Sequence, residues 1–390
     1  MQSFRTIYLS IIPKIKDTFE NEWANCLENL VNQTALSQGE IYKITLFIDS
    51  ENEVEFLKRK KFIKQSLYKY YASSCPTFSV LSQSPEGDTK IACEAVLLKS
   101  EAGTLSYKIL LDLPYIVIES SDYKEIWMSG IEANEGFIST EFAARTAFEM
   151  MHRVLEIEGM RFEHIVRQWN YIGGILQNHS TSSGILQNYQ TFNEVRHSYY
   201  KQYRKTEEFP AATGIGIKYE GIIIDFCAIR SDTNSCYAIK SPVQKNPYEY
   251  SQEVLVGEPL PNLTIKHPPE FERAILQSTP NFQRLFVSGT AAISGQNSVE
   301  KNDAQRQTKI TIENIRKLIC IENLFRFYPN CESLKCYNFV RVYVKNRSDL
   351  ESVGKICRKE FGGTPMLIVQ ADICRDDLLV EIEAELGNTI

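Results

Sequence analysis

Metal-binding patterns are missing from this sequence. Its ten cysteines, at positions 26, 75, 93, 227, 236, 320, 331, 336, 357 and 374, include no C-x-x-C pair and have no histidine motif beside them. That spacing argues against a zinc or iron–sulfur site. Several cysteines lie inside apolar runs, such as Cys227 in IIIDFCAI and Cys320 in KLICIE. They read as small buried hydrophobes of a reducing compartment, so a cytoplasmic location is expected. A strong excess of charge is missing too. A net charge of −6 and a pI near 5.6 provide no basic field for nucleic acid or anionic lipid. No long uncharged apolar run suggests a membrane span. The stretch from Ile7 to Ile12, closed by Pro13, is too short for a signal-peptide core. PAATGIGI (210–217) is rich in glycine but lacks the G-x-G-x-x-G spacing and opens no helix, so it is not read as a nucleotide loop. Its glycines are expected to let the backbone approach a ligand closely. With no ligand motif of any kind, neither metal nor cofactor is expected.

What is present is repetition. The chain has 390 residues, 43% of them hydrophobic and 24% charged, enough for two or three compact units. The C-terminal part predicts a strand at 285–293, a helix at 303–322 with Ile312, Ile315, Leu318 and Ile319 on one face, and a strand at 339–344. A second helix follows, with Ser348 as N-cap and Glu351 three residues later, then strands at 366–371 and 378–386. The order is β-α-β-α-β-β. The middle repeats it, with strands at 126–131, 164–171, 212–217 and 222–229 and helices at 145–158 and 193–204. In this alignment Ser129-Gly130 matches Ser288-Gly289, Arg167 matches Arg341, and Asp225 matches Glu381. The N-terminal part follows the same pattern more faintly, with strands at 6–12, 43–48, 77–82 and 91–97 and helices at 17–31 and 54–71.

The expected fold class is therefore α+β, with three units in one chain closing around a pseudo-threefold axis. The units span 1–105, 106–230 and 281–390. Seven of the 14 prolines fall in 231–280, which reads as a long irregular connection lining a cleft.

The last unit resembles a RidA/YjgF domain (chorismate mutase-like in fold), through its opening FVSGTAAI and closing LLVEIEAEL runs. VRQWNYIGGI (166–175), YQTFNEVRHSYY (189–200), FPAATGIGI (209–217), SPVQKNPYEY (241–250) and ADICRDDLLVEIE (371–383) narrow the resemblance to the chorismatases. It runs from about residue 126 to the C-terminus. One departure is that GILQN occurs twice, at 174–178 and 184–188, as a tandem duplication that lengthens the loop between Tyr171 and Arg196.

The resemblance implies a cofactor-free enzyme that cleaves chorismate to pyruvate and a hydroxybenzoate, the 3-isomer ahead of the 4-isomer. It implies a small-molecule substrate and no nucleic-acid or membrane partner. A fused trimer-like chain need not oligomerise, and a monomer is expected. Alternatives are a chorismate hydrolase giving a dihydroxycyclohexadiene-carboxylate, a RidA-like imine deaminase, and a non-catalytic small-molecule-binding protein.

Cleaving an enol ether without a metal requires protonation of its terminal methylene carbon, and a carboxylic acid is the natural donor. Glu381, Glu383 and Glu385 share one strand face. Such a row is ordinarily a solvated face, but the match of VEIEA to the superfamily's cleft glutamate selects Glu381, with Glu383 as the alternative. An acid working near pH 7 needs a partly apolar pocket to raise its pKa. The resemblance assigns Arg196 and Tyr171 to holding the substrate. Arg341, a charge inside an apolar strand, is a second carboxylate-holding candidate, with a structural ion pair as the equal alternative, and Arg167 is expected to be structural. Tyr248 and Tyr250 would line the pocket or pack their loop on the core. Gly289 and Cys374 match the hydroxybenzoate-forming branch, in which the resemblance implies an intramolecular route through an arene-oxide-like intermediate. As a core filler, Cys374 would need no such role.

Overall fold

The computed structural model describes residues 6–389 apart from 100–101, 122, 134–137, 182–183, 232–234, 260–263, 280–281, 332–333 and 335. The N-terminal part forms β1 (Thr6–Ile11), α1 (Phe19–Ser37), β2 (Gly39–Ile48), α2 (Glu53–Tyr71), β3 (Thr77–Leu81) and β4 (Ile91–Lys99). Both helices start where a side-chain oxygen is available. Thr18 and Asn52 accept the backbone N–H three residues on, and glutamates occupy both first turns. The strands pair in the order β1-β4-β2-β3.

The middle part opens with a hairpin that periodicity did not predict, β5 (Thr104–Leu110) and β6 (Leu113–Glu119). Then come β7 (Lys124–Ile131), α3 (Thr140–Ile157), β8 (Ile165–Gly173), β9 (Asn178–Thr181), β10 (Gly184–Gln187), α4 (Asn188–Tyr203), β11 (Ala211–Ile217) and β12 (Ile222–Arg230). Its core order, β7-β12-β8-β11, repeats that of the first sheet, and the hairpin extends the β7 edge. The duplicated GILQN segments take different structures. The first turns the chain after β8, while the second supplies β10 and starts α4, and β9 and β10 pair as a small hairpin between them. Residues 182–183 of the intervening HSTSS lie outside the described residues.

The 231–280 segment is not wholly irregular. It contains β13 (Ser235–Ile239) and β14 (Ala274–Ser278), which add two strands to the last sheet. Both are five residues long and flanked by irregular chain, so the prolines between them dominated the sequence pattern. Pro261 and Pro280 fall outside the described residues. The last part continues with β15 (Phe282–Ala291), the short pair β16 (Ile293–Ser294) and β17 (Asn297–Ser298), α5 (Ala304–Ile319), α6 (Ile321–Phe327), β18 (Tyr337–Val344), α7 (Leu350–Glu360), β19 (Met366–Gln370) and β20 (Val380–Thr389). The order β15-β20-β18-β19 is again that of the first sheet. Ser348 is not the N-cap of α7. It lies inside a short 3-10 turn at Arg347–Asp349, and the helix follows without a side-chain cap.

Strand register corrects the alignment of the repeats. In each unit one irregularity interrupts the central antiparallel pair, between Ile41 and Lys43, between Ile165 and Arg167, and between Tyr337 and Phe339. Superposing these makes Lys43, Arg167 and Phe339 equivalent, then Thr45, Trp169 and Arg341, and then their cross-strand partners Glu94, Asp225 and Glu383. Asp225 therefore matches Glu383, not Glu381, and Arg167 does not match Arg341. Sequence comparison slipped by two residues because a strand repeats its facing every second position.

These equivalent acids meet around the pseudo-axis in a cyclic arrangement. Glu94 of the first unit binds Arg341 of the last (Nε to Oε1, 3.0 Å). Asp225 of the middle binds Lys43 of the first at 2.9 Å. Glu383 of the last binds Arg167 of the middle at 2.6 Å, and also Arg341 at 2.6 Å. All are buried. A shared apolar core surrounds them, drawing Phe47 and Val96, Trp127 and Trp169, and Phe286 and Tyr343 from the three sheets. Such charges are costly to bury and are retained only when each is paired.

Arg341→Ala would leave Glu94 and Glu383 short of a partner inside this core. It should destabilise the fold by about 3–5 kcal/mol, read as a lower urea midpoint; an unchanged midpoint would contradict the central role of the cluster.

Candidate active site

The axial cluster fixes where a ligand can enter. Each junction between units has a position equivalent to Glu381. It is Ala92 between the last unit and the first, and Ile223 between the first and the middle, as their cross-strand partners Phe47, Tyr171 and Tyr343 show. The first–middle junction opens as a groove under α2, but Glu132 reaches into it and engages both Lys60 and Lys64. Among these three positions, only the one between middle and last units carries an acid.

There, a cleft of about 680 Å³ including its mouth lies between β11 and α4 on one side and β15 and the start of β20 on the other. The segments 250–256 and 269–273 roof it. Glu381 lines it, 4% exposed, and its carboxyl has no hydrogen-bond partner among the described residues. Burial, reinforced by the negative charge of Glu383, raises its pKa to about 8, against weaker opposition from Arg167 and Arg273.

Glu383 is the opposite case. Burial alone would raise it, but Arg341 and Arg167, with hydrogen bonds from Thr213 and Trp169, hold it below the usual carboxylate range. Trp169 Nε1 donates to it at 3.0 Å and Tyr343 Oη at 3.3 Å. One carboxyl is kept protonated and its neighbour two residues on is kept ionised. The first can deliver a proton and the second cannot.

Gly289 lines the same cleft, and its role is steric. A Cβ there would fall 2.0 Å from Glu381 Oε1 and 3.2 Å from Thr213 Cγ2. The room left by this glycine is taken up by the acid itself. Cys374 also lines the cleft. Burial first, then the proximity of Glu381, pushes its thiol up to about 12. It remains a neutral S–H and is not a thiolate nucleophile. Tyr250 lines the cleft and accepts a hydrogen bond from Arg273 Nη2 at 2.7 Å.

Other expected residues stand elsewhere. Tyr171 and Arg341 are in the axial cluster, joined at 3.3 Å, and neither lines the cleft. The sequence could not separate them from the site because the axial cluster and the cleft occupy one and the same strand face at neighbouring positions. Tyr248 packs on Phe209 at 5.2 Å and donates to Glu272 at 3.4 Å behind the cleft wall. Arg196 is buried on α4 and donates to Asn193 Oδ1 at 2.8 Å. Asn193 lines the cleft, so Arg196 stands one layer behind it. Of the two glycines of β11, Gly214 faces the cleft and accommodates the Tyr189 ring, while Gly216 packs on Asp372.

Sequence reasoning missed Arg273, Arg375, Tyr189 and Gln190, all of which line the cleft. Arg273 is buried, makes no ion pair among the described residues, and leaves Nε unbonded. Arg375 donates to the Gln296 carbonyl at 2.7 Å and lies over the Tyr250 ring at 5.0 Å. Two cations without acidic partners give the cleft the means to hold an anion. Their available signals were the adjacency of Arg375 to Cys374 and the position of Tyr189 at the head of YQTFNEVRHSYY.

Residues 117–228 match the family described as "Chorismatase FkbO/Hyg5-like, N-terminal". A 3-hydroxybenzoate synthase of Streptomyces hygroscopicus is 32% identical over 248 residues, covering 62% of this chain and 68% of that protein. This chain belongs to the chorismatase family. A chorismatase of Streptomyces rapamycinicus is 32% identical over 228 residues, covering 57% of this chain and 64% of the relative. A chorismatase crystal structure superposes with a TM-score of 0.68 at 20% identity, covering 98% of this chain and all of the other, which establishes the family's fold over the whole length.

The raised pKa of Glu381 has a consequence for stability. The folded protein holds a proton that the unfolded chain releases near pH 4.5, so between there and about pH 8 rising pH weakens the fold at this site. Glu381→Gln removes the effect. Its thermal midpoint should exceed that of the wild type at pH 8 and converge with it near pH 4; a variant less stable than wild type at pH 8 would contradict the burial of an unpaired carboxyl.

Proposed function

We propose that this chain cleaves chorismate to pyruvate and a hydroxybenzoate, the 3-isomer ahead of the 4-isomer, without a cofactor. The observation that carries the reading is Glu381, a buried carboxyl without a hydrogen-bond partner among the described residues, in a cleft bearing Arg273 and Arg375, with the ion-paired Glu383 two residues along its strand. The names of its relatives agree with that chemistry.

In this reading Arg273 and Arg375 take the substrate's carboxylates, Tyr250 orients Arg273, and Arg196 supports Asn193 from behind. Glu381 protonates the methylene carbon of the enol ether, giving an oxocarbenium ion that the new carboxylate stabilises. The ring hydroxyl attacks the carbon bearing the ether oxygen. That C–O bond breaks, pyruvate leaves as the ketone, and the hydroxyl proton returns to Glu381. The epoxide so formed then opens, a ring C–H leaves as a proton, the oxygen takes up a proton to become the phenol, and the ring aromatises. The two products account for every atom of chorismate, so no water is consumed. Gly289 keeps Glu381 in place, and Cys374 offers a neutral thiol to the ring where a charged side chain would bind water. The roof formed by residues 250–256 and 269–273 excludes competing solvent.

The test is product identification by NMR after mixing purified protein with chorismate and no added metal or cofactor. Equal amounts of pyruvate and 3-hydroxybenzoate are expected, and Glu381→Gln should lower turnover by about two to four orders of magnitude. A non-aromatic diol as the main product would place the chain among chorismate hydrolases. Full activity in Glu381→Gln would remove this residue as the acid.

A further inference from the structure

Behind the cleft wall, two histidines of separate segments stack face to face. His197 lies on α4 and His267 in the segment that roofs the cleft, with ring centroids 3.6 Å apart and planes 12° from parallel. Each imidazole is held by a carboxylate from across the joint. His197 Nδ1 meets Glu270 Oε1 at 2.7 Å, and His267 Nδ1 meets Glu194 Oε2 at 2.5 Å. The exchange is reciprocal, since α4 provides His197 and Glu194 while the roof provides His267 and Glu270.

The backbone takes part as well. His267 N donates to Glu194 Oε1 at 2.8 Å. Gln190 Nε2 donates to the His267 carbonyl at 2.8 Å and to Glu194 Oε1 at 2.7 Å. Gln190, Glu194 and His197 share one face of α4 by their spacing. On the roof side, Lys266 and Gln252 exchange two hydrogen bonds, Lys266 N to Oε1 at 2.9 Å and Nε2 to the Lys266 carbonyl at 2.8 Å, which ties in the 252–255 turn.

Every element joined here presents residues to the cleft. The helix supplies Tyr189, Gln190 and Asn193, the roof supplies Pro269, Phe271 and Arg273, and the turn supplies Val254 and Leu255. Nothing in the acid–base chemistry uses the histidines, and neither lines the cleft. A hydrogen-bonded joint at both ends of a segment only a few residues from Arg273 fixes where that guanidinium stands.

We propose that the stacked His197–His267 pair, with Glu270 and Glu194, is a clasp that holds the cleft roof on α4, making both histidines positioning residues for the substrate anion. This rests on the reading of the cleft as a chorismate site. With the clasp in place, Arg273, Phe271 and Gln190 are set before the substrate arrives. Without it, part of the binding interaction is used to order the roof, so the loss falls on substrate binding and not on the proton transfer at Glu381.

The experiment compares wild type, His197→Leu and His197→Asn in steady-state pyruvate release, with thermal midpoints measured in parallel. Leucine keeps the volume and loses the hydrogen bond to Glu270, whereas asparagine keeps a donor near the Nδ1 position. His197→Leu should raise KM on the order of tenfold or more with kcat within about threefold of wild type, and His197→Asn should recover most of that loss. If His197→Leu fails to fold, His267→Asn and His267→Gln give the same comparison from the roof side. An unchanged KM, or a fall in kcat and thermal midpoint at constant KM, would overturn the clasp. A wild-type protein that releases no pyruvate would instead overturn the chorismate reading, so the two failures are distinguishable.

Discussion

The anion at Glu383 is the constraint on which the rest of the site depends. Two arginines from two different units, Arg167 and Arg341, converge on it at 2.6 Å each. Removing either would leave a charge in a core that also contains Trp127, Trp169 and Phe286. Because Glu383 is pinned and ionised, its neighbour on the same strand face meets a fixed negative charge and little water. Its own burial first, and that charge second, raise the pKa of Glu381 to about 8. Burial and a structural ion cluster two residues along the same strand face thus act together on the cleft acid.

The three units share a strand order and a register, yet only one junction has been turned to this use. Where Glu381 stands in the last unit, the middle has Ile223 and the first has Ala92. At the first–middle junction, Lys60 and Lys64 of α2 are engaged by Glu132. Fusion of the units permits this divergence, since each copy can change without changing the others. The segments 250–256 and 269–273 roof the cleft that carries Glu381.

Much of this could be read from the sequence. The β-α-β-α-β-β order and its repetition follow from periodicity, while the choice of Glu381 as a cleft residue came from the resemblance. The register did not follow, because period-two patterns are unchanged by a slip of two residues, and Asp225 was matched to Glu381 instead of Glu383. Arg341 was drawn into the pocket because a charge in an apolar strand signals burial with a partner, without saying which, and Tyr171 because the resemblance assigned it to the substrate. Arg273 was hidden in a proline-rich segment whose strands are only five residues long. The histidine clasp joins residues 70 positions apart, beyond the reach of any local pattern.

The proton delivery proposed for Glu381 can be followed directly. Chorismate is turned over in deuterium oxide with lactate dehydrogenase present, which reduces the pyruvate as it forms and locks its methyl group, and the lactate is examined by NMR. A general acid that exchanges with solvent puts one solvent deuterium into that methyl group, and Glu381→Gln slows its appearance in step with turnover. A methyl group free of solvent deuterium would mean that a ring hydrogen moves straight to the methylene carbon, and that Glu381 is not the proton donor.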